Sequence, residues 1–444
     1  MSGPRRLVLG AYLSYGTGHH AAAWRHPDAP ADGAQRIDHY VDLARTAERG
    51  LFDFMFLSDT PSVFNDDRHG YGSRVVVFEP LTLLSALAMT TTHLGLVATA
   101  STTYKEPYNL AREFASLDLL SGGRAGWNMV TSSKREAAAN FGLDRHPDHA
   151  ERYLRASEFF DVVTGLWDSW DDDAFVRDKQ SGVFYDPGRR HPVAHHGRYF
   201  NVGGELNISR PVQGRPVIVQ AGSSDDGREL AARTAEVVFT AAPDPDSARE
   251  FALDLRKRLA HYGRPPESLL VMPGLCPFIG PTDEAAQQAF DRLQQLIHPQ
   301  LGVSLLSDLV GGFDLSGYDV DGLLPELPPS NGNRSRRRLI ETLAASQQLT
   351  IRQLYQRMTV ARGHLVLVGS YRRVAETMAE WLHSGAADGF AIMPPHLPGG
   401  LAEFVDHVVP ELQALGVHQT GYPPGTFRDR LGLPRPPSRH TRTA

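Results

Sequence analysis

The chain has 444 residues, of which 41% are hydrophobic and 22% charged, a composition that excludes global disorder and fits a protein with a substantial core. Its formal net charge of −6 at pH 7 gives no electrostatic reason to expect nucleic acid or an anionic membrane surface as a partner. Because Cys276 is the only cysteine and no apolar run approaches the ~18–20 residues that cross a bilayer, we predict a cytoplasmic protein without disulfides.

Short apolar runs recur from the first residues onward, and a longer amphipathic segment follows most of them. The strand candidates are 7–13, 52–59, 93–102, 124–131, 216–224, 235–242, 269–280 and 389–395. The helical patterns are 35–49, 80–91, 107–120, 149–168, 226–234, 244–262, 282–297 and 401–415. This alternation is typical of βα units and a parallel sheet. Eight such units predict an α/β fold, a (β/α)8 TIM barrel with long insertions.

The excess over the ~250 residues of a typical barrel of this kind lies in two long segments. They run from about 169 to 211 and from about 298 to 350, and both are rich in Gly, Pro, Asp and His with little periodicity. Loops of that length inside a compact domain commonly serve as lids or binding loops. We predict a single barrel domain over 1–432 with these two insertions, followed by a disordered tail over 433–444.

Small polar residues gather at the C-terminal ends of the predicted strands, where the active site of such a barrel lies. They are Ser58, Asp59, Ser101, Thr102, Thr103, Asn128, Thr131, Ser132, Gly222, Ser223 and Ser224. Most of them carry uncharged hydrogen-bonding groups, and the set includes a single carboxylate. Such a set is suited to orienting a planar heteroaromatic ligand.

A possible phosphate site follows the fifth predicted strand, where AGSSDDG (221–227) leads into a helix. Exposed backbone N–H groups, two serine hydroxyls and a helix N-terminus together can bind a phosphate, although a plain serine N-cap explains the same residues. His149 and Tyr153 lie one helical turn apart on one face. That pair fits either a second part of the site or a partly buried helix face.

Two further patterns resemble known sites without the necessary context. GTGHHA (16–21) imitates a dinucleotide fingerprint, but Pro27 and Pro30 stop the helix that such a motif must open. The histidines of HPVAHHGRYF (191–200) lie in a polar insertion with no adjacent carboxylate cluster. We therefore predict no dinucleotide site at the first loop and no metal site.

A series of motifs in order along nearly the whole chain is similar to one enzyme family. The motifs are SGGRAGWNMVTS, ERGLFDFMFLSD, FEPLTLLSALA, EPYNLAREFASLDLLSGGR, HAERYLRASEFFDVVTGLWDSW, HHGRYFNVGGELNISRPVQGRPVIVQAGSS and LPGGLAEFVDHVVPEL. They resemble the bacterial-luciferase-like flavin monooxygenases, within the group of nitrilotriacetate monooxygenase, dibenzothiophene-sulfone monooxygenase and the pristinamycin IIA synthase large subunit. One stretch departs from the pattern: HLVLVGSYRRVAETMAEW (364–381) has Ser370, a candidate N-cap, in place of a Gly-Thr-Pro-Glu helix start.

The resemblance implies a luciferase-like barrel that binds FMN as FMNH2 at its C-terminal face. Carried over residue by residue, it places the flavin among Asp59, Thr103, Asn128, His149, Tyr153, Ser223 and Ser224, with the first three at the ring and the others at the phosphate. It also implies a monooxygenase that uses O2 to oxidise a small organic substrate, with a separate NAD(P)H:flavin reductase supplying the reduced flavin. We expect a homodimer or homotetramer.

Acid–base residues and the reaction class are less constrained by the sequence. His20 in the first βα loop and His298 at the start of the second insertion are candidates, because histidine exchanges protons near neutral pH. Residues that either line the substrate side or belong to the core are Tyr12, Trp24, Phe56 and Phe64. Two alternatives stay open: deazaflavin (F420)-dependent hydride transfer on the same fold, and a flavin-binding protein without catalysis.

Overall fold

The computed structural model describes residues 6–63, 69–132, 134, 136–328, 334–361 and 363–440. Its main sheet is parallel, with strands β1 Val8–Tyr12, β2 Phe54–Leu57, β3 Gly95–Ser101, β4 Ala125–Val130, β5 Val217–Gln220, β6 Val237–Thr240, β7 Leu270–Gly280, β8 Leu365–Ser370 and β9 Gly389–Ile392. The strands from β1 to β7 pair in order, and β9 pairs with both β7 and β1. Eight strands thus close into a barrel, which confirms the predicted (β/α)8 fold.

β8 lies outside the closed ring and was not among the predicted strands. It exists because β7 is 11 residues long and its two halves have different neighbours. The first half of β7 pairs with β6 and β9, whereas Leu275–Gly280 pairs with β8 in register from Leu365 to Ser370. The apolar run before Ser370 is therefore a strand, and the helix that was expected after it begins at Tyr371.

The predicted helices are present, with ends that shift by a few residues. The helices are α1 Ile37–Arg49, α2 Pro80–Ala88, α3 Pro107–Leu120, α4 Ala137–Asn140, α5 His149–Trp167, α6 Asp225–Thr234, α7 Pro245–Leu259, α8 Asp283–Gln295, α9 Pro299–Leu309, α10 Arg334–Gln347, α11 Ile351–Met358, α12 Tyr371–His383, α13 Gly399–Glu403, α14 Val409–Ala414 and α15 Phe427–Arg430. A π-helical segment, Phe404–Val408, joins α13 to α14. Among the described residues, none of the helices has the length and apolar character needed to span a membrane.

The barrel wall separates a hydrophobic core inside the barrel from a second one between the strands and the surrounding helices. Strand β4 contributes to both. The buried Trp127 packs outward, with its ring centroid 5.9 Å from that of Phe159 and 6.2 Å from that of Trp167 on α5. Successive residues of a strand face opposite sides of the sheet, so the next residue, Asn128, faces the barrel interior. Valine and phenylalanine side chains dominate that interior, including Val97 of β3.

The short helix α15 closes the N-terminal end of the barrel. Its Phe427 packs against Phe54, and a Cβ atom added at Gly95 would lie 2.7 Å from the Phe427 ring, so glycine is required there. Arg428 forms a bidentate ion pair with Glu236, with N–O distances of 2.5 and 2.9 Å. The Arg428 side chain is 1% exposed and that of Glu236 is 8% exposed. Burial raises the pKa of Glu236, but the charges of Arg428 and Arg215 outweigh it and lower this pKa overall. The N-terminal end of the barrel, called the lower end below in contrast to the C-terminal or upper end, is therefore closed by α15 and its paired charges.

The two insertions differ in content. The second is helical, and residues of α9 and α11 share a small core in which Gly302 lies directly against the Tyr355 ring. The first has little regular structure and is held by hydrogen bonds such as that from Trp170 Nε1 to the Leu206 carbonyl, 2.8 Å. Residues 433–440 of the predicted tail lie against it, where Arg435 pairs with Asp172 at 2.6 Å.

Candidate functional site

A cavity of about 470 Å³ opens at the C-terminal end of the barrel. Strand ends and the loops that follow β1, β2, β4 and β5 supply its walls, with Tyr12, Ser58, Asp59, Met129, Ser132 and Gln220 among the lining residues. In the ring of eight strands β1 and β5 are four places apart, so they lie on opposite sides of the barrel. The cavity therefore spans the barrel mouth.

The wall at β1 and β2 is a chain of neutral hydrogen-bonding groups. The Tyr12 hydroxyl donates to Ser58 Oγ at 2.8 Å, and the Ser58 backbone N–H donates to Ser14 Oγ at 2.6 Å. Burial raises the pKa of Tyr12, so its phenol keeps its proton at any physiological pH. Tyr12, Ser14 and Ser58 are thus held in place by their own hydrogen bonds, and none of the three carries a charge.

Asp59 is the one carboxylate among the described residues that line the cavity. Burial raises its pKa to about 6, and the nearby charge of Glu79 acts in the same direction. The backbone N–H of Thr60 and the charge of Lys105 oppose the shift. A carboxyl group with that pKa exchanges protons near neutral pH, so Asp59 is suited to both accepting and donating a hydrogen bond.

Asn128 and Thr103 lie behind the cavity wall. Asn128 is 2% exposed and donates from Nδ2 to Thr99 Oγ1 at 2.7 Å, while its Oδ1 accepts no hydrogen bond from the described part of the chain. A buried acceptor left unpaired costs about 1–3 kcal/mol. Thr103 donates from Oγ1 to the carbonyl of Thr131, 2.8 Å, and Thr131 lines the cavity. The structure thus gives Asn128 an unused acceptor and Thr103 a positioning contact.

The other side of the mouth is formed where α5 meets α6. His149, the first residue of α5, lies with Nδ1 3.0 Å from Asp226 Oδ2, and its ring centroid is 4.8 Å from that of Tyr153. Both partners of the His149–Asp226 pair are half exposed. The predicted one-turn spacing therefore puts the two rings in contact at the edge of the cavity, which Tyr153 lines.

The serines of the predicted phosphate site stand at the N-terminus of α6. Ser224 is the N-cap: its Oγ accepts from the Gly227 backbone N–H at 3.1 Å and lies 3.5 Å from the Tyr153 hydroxyl. Ser223 precedes it, and its carbonyl accepts from Arg228 Nε at 3.1 Å. Ser224 and Tyr153 are therefore neighbours, Ser223 is next to them in the chain, and the plain N-cap role of Ser224 is also present.

The two acid–base candidates lie away from the cavity lining. His20 is buried, its Nδ1 accepts from the Ala22 backbone N–H at 3.1 Å, and burial lowers its pKa to about 3, so the ring is neutral at pH 7. His298 precedes α9 without a capping hydrogen bond from its side chain and stacks on Tyr71, with ring centroids 3.5 Å apart and planes 9° from parallel. Neither histidine is among the described residues that line the cavity.

The aromatic candidates divide between the site and the core. Tyr12 lines the cavity, and Phe56 packs behind it with ring centroids 5.3 Å apart. Trp24 donates from Nε1 to the Tyr71 carbonyl at 3.1 Å, outside the lining. Phe64 lies outside the described residues.

Sequence reasoning missed seven polar residues of the described lining: Ser14, Tyr15, Thr60, Ser62, Arg74, Lys134 and Gln220. Gln220 is the last residue of β5, and its place at a strand end was a usable signal. Arg74 and Lys134 lie in loops without periodicity, which no local pattern assigns to the site. Arg74 reaches it by stacking over the Tyr15 ring, 4.3 Å from the guanidinium carbon to the centroid.

Comparison with known proteins assigns a family to this geometry. Residues 17–389 match the family model described as luciferase-like monooxygenase. The chain is 49% identical to N-acetyl-S-(2-succino)cysteine monooxygenase of Bacillus subtilis, with 99% of each chain covered, and 46% identical to nitrilotriacetate monooxygenase component A of Aminobacter aminovorans, with 98% covered. It is also similar to the crystal structure of riboflavin lyase (RcaE) with modified FMN and riboflavin, with a TM-score of 0.84, 32% identity and 96% of each chain covered.

Proposed function

This chain belongs to the luciferase-like monooxygenase family and is a flavin-dependent monooxygenase; we propose that it is the FMNH2-dependent oxygenating component of a two-component system. The proposal rests on one cavity: its hydrogen-bonding wall at β1 and β2 lies opposite Tyr153, Gly222 and Gly227, and Ser224 at the N-terminus of α6 is 3.5 Å from the Tyr153 hydroxyl. A ligand with a polar ring at one end and a terminal phosphate at the other matches that layout. FMN has both parts.

The residues of the site fit FMN on two further counts. The unpaired Oδ1 of the buried Asn128 is an acceptor for a ring N–H of the flavin, which would remove the cost of leaving it unpaired. At the other end, the positive end of the α6 dipole and the Ser223 and Ser224 hydroxyls favour a phosphate dianion. We propose that His149 and Tyr153 complete this phosphate site, with His149 exchanging its contact with Asp226 for the phosphate.

Reduced flavin, when bound, would supply the two electrons that activate O2, so that one oxygen atom enters the substrate and the other leaves as water. The chain's own residues have other tasks. Asp59, Thr103 and Asn128 orient the ring, the hydrogen-bonded wall of Tyr12, Ser14 and Ser58 fixes the substrate side, and the cavity walls keep bulk water away. Asp59, with its pKa near 6, is placed to hold or release a proton at the cavity. His298 stays a candidate for proton exchange at longer range, whereas the lowered pKa of His20, about 3, argues against that role for His20.

A separate reductase is part of the proposal. The name "component A" of the Aminobacter relative indicates that the relative is an enzyme with more than one component. In addition, the GTGHHA segment of this chain is followed only by a 3-10 turn, Ala23–Arg25, rather than by the long helix a dinucleotide site requires. Both observations favour an external NAD(P)H:flavin reductase. We further propose a cytoplasmic homodimer or homotetramer with the predicted domain limits, 1–432.

The monooxygenase relatives favour oxygen transfer over the two alternatives, deazaflavin-dependent hydride transfer and flavin storage. The test mixes the protein, FMN, NADH and either N-acetyl-S-(2-succino)cysteine or nitrilotriacetate, with and without a flavin reductase, and assays oxygenated product. Product should form only when the reductase is present, and catalase should not suppress it. Turnover of equal rate without the reductase would overturn the two-component assignment. Binding should favour reduced FMN over FAD, because the proposed phosphate site closes around one terminal phosphate.

A further inference from the structure

We propose that Arg152 is a positioning residue of the flavin site: its buried guanidinium holds the backbone of Thr131 and Ser132, which line the cavity, in one place beside helix α5. The inference rests on the proposed function for the identity of the ligand, because the cavity is taken to hold FMN. Arg152 is not among the described residues that line this cavity, so it would act through the loop after β4 and not by touching the ligand.

The contacts of Arg152 join three segments of backbone. It lies near the start of α5, one residue before Tyr153, and is 8% exposed. Its Nη1 donates to the Thr131 carbonyl at 3.3 Å and to the Ser132 carbonyl, and its Nε donates to the Pro147 carbonyl at 3.2 Å. Because a guanidinium is planar and its N–H donors have fixed directions, these bonds set the position of the loop relative to the helix.

The backbone conformation of Ser132 explains why the loop needs such a contact. Ser132 has a φ of +52°, in the left-handed region that a Cβ atom disfavours. Among the described non-glycine residues with positive φ, Ser132 is the one that lines the cavity. A conformation of this kind persists where the surroundings enforce it. Here the hydrogen bonds from Arg152 to the Ser132 carbonyl and from Ser132 Oγ to Ser101 Oγ, 2.8 Å, hold it.

The same segment is bound to Thr103, which we place at the flavin ring. Thr103 Oγ1 donates to the Thr131 carbonyl at 2.8 Å, so this carbonyl accepts from both Thr103 and Arg152. The Thr103 backbone N–H donates to Ser101 Oγ at 3.1 Å, the atom that also contacts Ser132. A shift of the Thr131–Ser132 backbone would therefore disturb the proposed ring contacts as well as the cavity wall.

Helix α5 thereby connects the two proposed ends of the flavin. His149 and Tyr153, which we place at the phosphate, lie on the same helix as Arg152. Burial lowers the pKa of Arg152, and the described groups that oppose this shift are Tyr153 and Tyr104, neither of which is a carboxylate. A guanidinium nevertheless stays charged at neutral pH, and hydrogen bonds from a charged donor are roughly twice as strong as neutral ones. Arg152 thus holds the loop more firmly than a neutral donor would.

Fluorescence titration with FMN and with riboflavin tests the role through Arg152→Met, which retains an unbranched side chain and removes its donors. Both flavins should bind about tenfold more weakly, because they share the ring and differ only in the phosphate. Arg152→Lys should restore part of the loss. Weakening of FMN alone would show that Arg152 acts on the phosphate by its charge, and unchanged binding of both would show that it has no role; either result overturns the proposal.

Two substitutions of Ser132 separate positioning from a general loss of structure. Glycine adopts a positive φ without steric cost, so Arg152→Met should weaken FMN binding much less in the Ser132→Gly background. Ser132→Ala removes the same hydroxyl but retains the Cβ atom, so the full effect of Arg152→Met should remain there. Equal losses in the two backgrounds would contradict the proposed mechanism.

The matched control is Arg264→Met, at the N-terminal end of the barrel. Arg264 also donates to backbone carbonyls, among them those of Ala232 at 3.0 Å and Ser268 at 3.1 Å, and burial lowers its pKa too. This variant should leave the affinity for both flavins unchanged.

Amide hydrogen exchange in the ligand-free protein gives a measurement that does not depend on flavin. The peptide containing Thr131 and Ser132 should exchange faster in Arg152→Met than in the wild-type protein or in Arg264→Met, and a wild-type rate would overturn the role of Arg152. Failure of the wild-type protein to bind either flavin would instead contradict the proposed function, so the two failures are distinguishable.

Discussion

The two ends of the barrel differ in how their buried carboxyl groups are paired. At the N-terminal end, a charged residue stands directly before several strands, and each has a partner. Asp53, which precedes β2, pairs with Arg6 at 2.8 Å and accepts from the Leu9 backbone N–H at 2.9 Å. Glu236, before β6, pairs with Arg428. At the C-terminal end, Asn128 has a buried Oδ1 that accepts no hydrogen bond from the described residues, and burial raises the pKa of Asp59.

This difference indicates that the N-terminal end of the barrel contributes to stability and that the C-terminal end binds a ligand. Paired charges at the lower end fix the strands and α15 together, and removing one partner leaves a buried charge uncompensated. At the C-terminal end, the buried Asn128 acceptor and the Asp59 carboxyl with its raised pKa lower the stability of the ligand-free protein. Contacts with a bound ligand would offset that loss of stability. Mutations at the two ends should therefore affect different measurements.

The largest effect is expected at the lower end, from Arg428→Met. This change leaves the 8%-exposed Glu236 carboxylate without its closest partner, which should lower the free energy of unfolding by about 3–5 kcal/mol. Urea denaturation followed by circular dichroism measures it. The double variant Arg428→Met/Glu236→Gln should recover part of the loss, because the buried carboxylate is then neutral, although Arg215 loses its partner at 3.8 Å.

The paired test for the lower end is the flavin affinity of Arg428→Met at low temperature, where the variant remains folded. FMN should bind with wild-type affinity, since Arg428 lies at the far end of the barrel from the cavity. A variant with normal unfolding energy and weakened flavin binding would break the division between the two ends.

A smaller effect, confined to binding, is expected at the upper end from Ser223→Ala/Ser224→Ala. Each hydroxyl contact contributes about 0.5–1.5 kcal/mol, so the double variant should bind FMN roughly tenfold more weakly. Loss of the Ser224 N-cap also costs about 1 kcal/mol of stability, as alanine replaces a side chain that accepts from Gly227 N–H. Fluorescence titration with FMN measures the first quantity and urea denaturation the second.

The control for that variant is Thr282→Ala, which removes the N-cap of α8 by the same loss of a hydroxyl acceptor, here from the Ala285 N–H. It should lower stability to a similar degree without weakening FMN binding. If both variants weakened FMN equally, the serines would act through helix stability and the phosphate site would have to be sought elsewhere.

The same division explains how far sequence reasoning reached. The eight barrel strands were predictable because each is a short buried run of fixed period, and the polar strand ends follow from the geometry of parallel barrels. His149, Tyr153 and Ser224 could be brought together because two of them share a helix face and the third caps the next helix. In each case, regular backbone geometry carried the information.

The elements that were missed depend on contacts between distant segments. β8 resembles any apolar approach to a helix, and only the unusual length of β7 gives it a partner. Arg74 reaches the cavity through the loop after β1, to which it is bound by its contacts with Tyr15 and His19. Neither feature has a period or a motif, so a single sequence does not reveal them.

The smallest effect is expected from Asp59→Asn, as a change in how stability depends on pH. Because burial raises the folded-state pKa of Asp59 to about 6, above its ordinary value of 3.8, the folded protein binds this proton more tightly than the unfolded chain. The resulting stabilisation is fully present below 3.8 and is lost as the pH rises toward about 6. Above that range the asparagine variant should be the more stable protein, by about 1 kcal/mol or less after solvent screening.

Urea denaturation of both proteins over a series of pH values from about 4 to 8 measures the difference, whose slope should vanish above the folded-state pKa. Asp38→Asn is the matched control of opposite sign, because the hydrogen bond from Arg36 lowers the pKa of the exposed Asp38. There the wild-type aspartate should be favoured at high pH and lose its advantage as the pH falls. If the Asp59→Asn difference did not change with pH, Asp59 would titrate as a solvated carboxylate, and the upper end would lack the strain that distinguishes it from the lower.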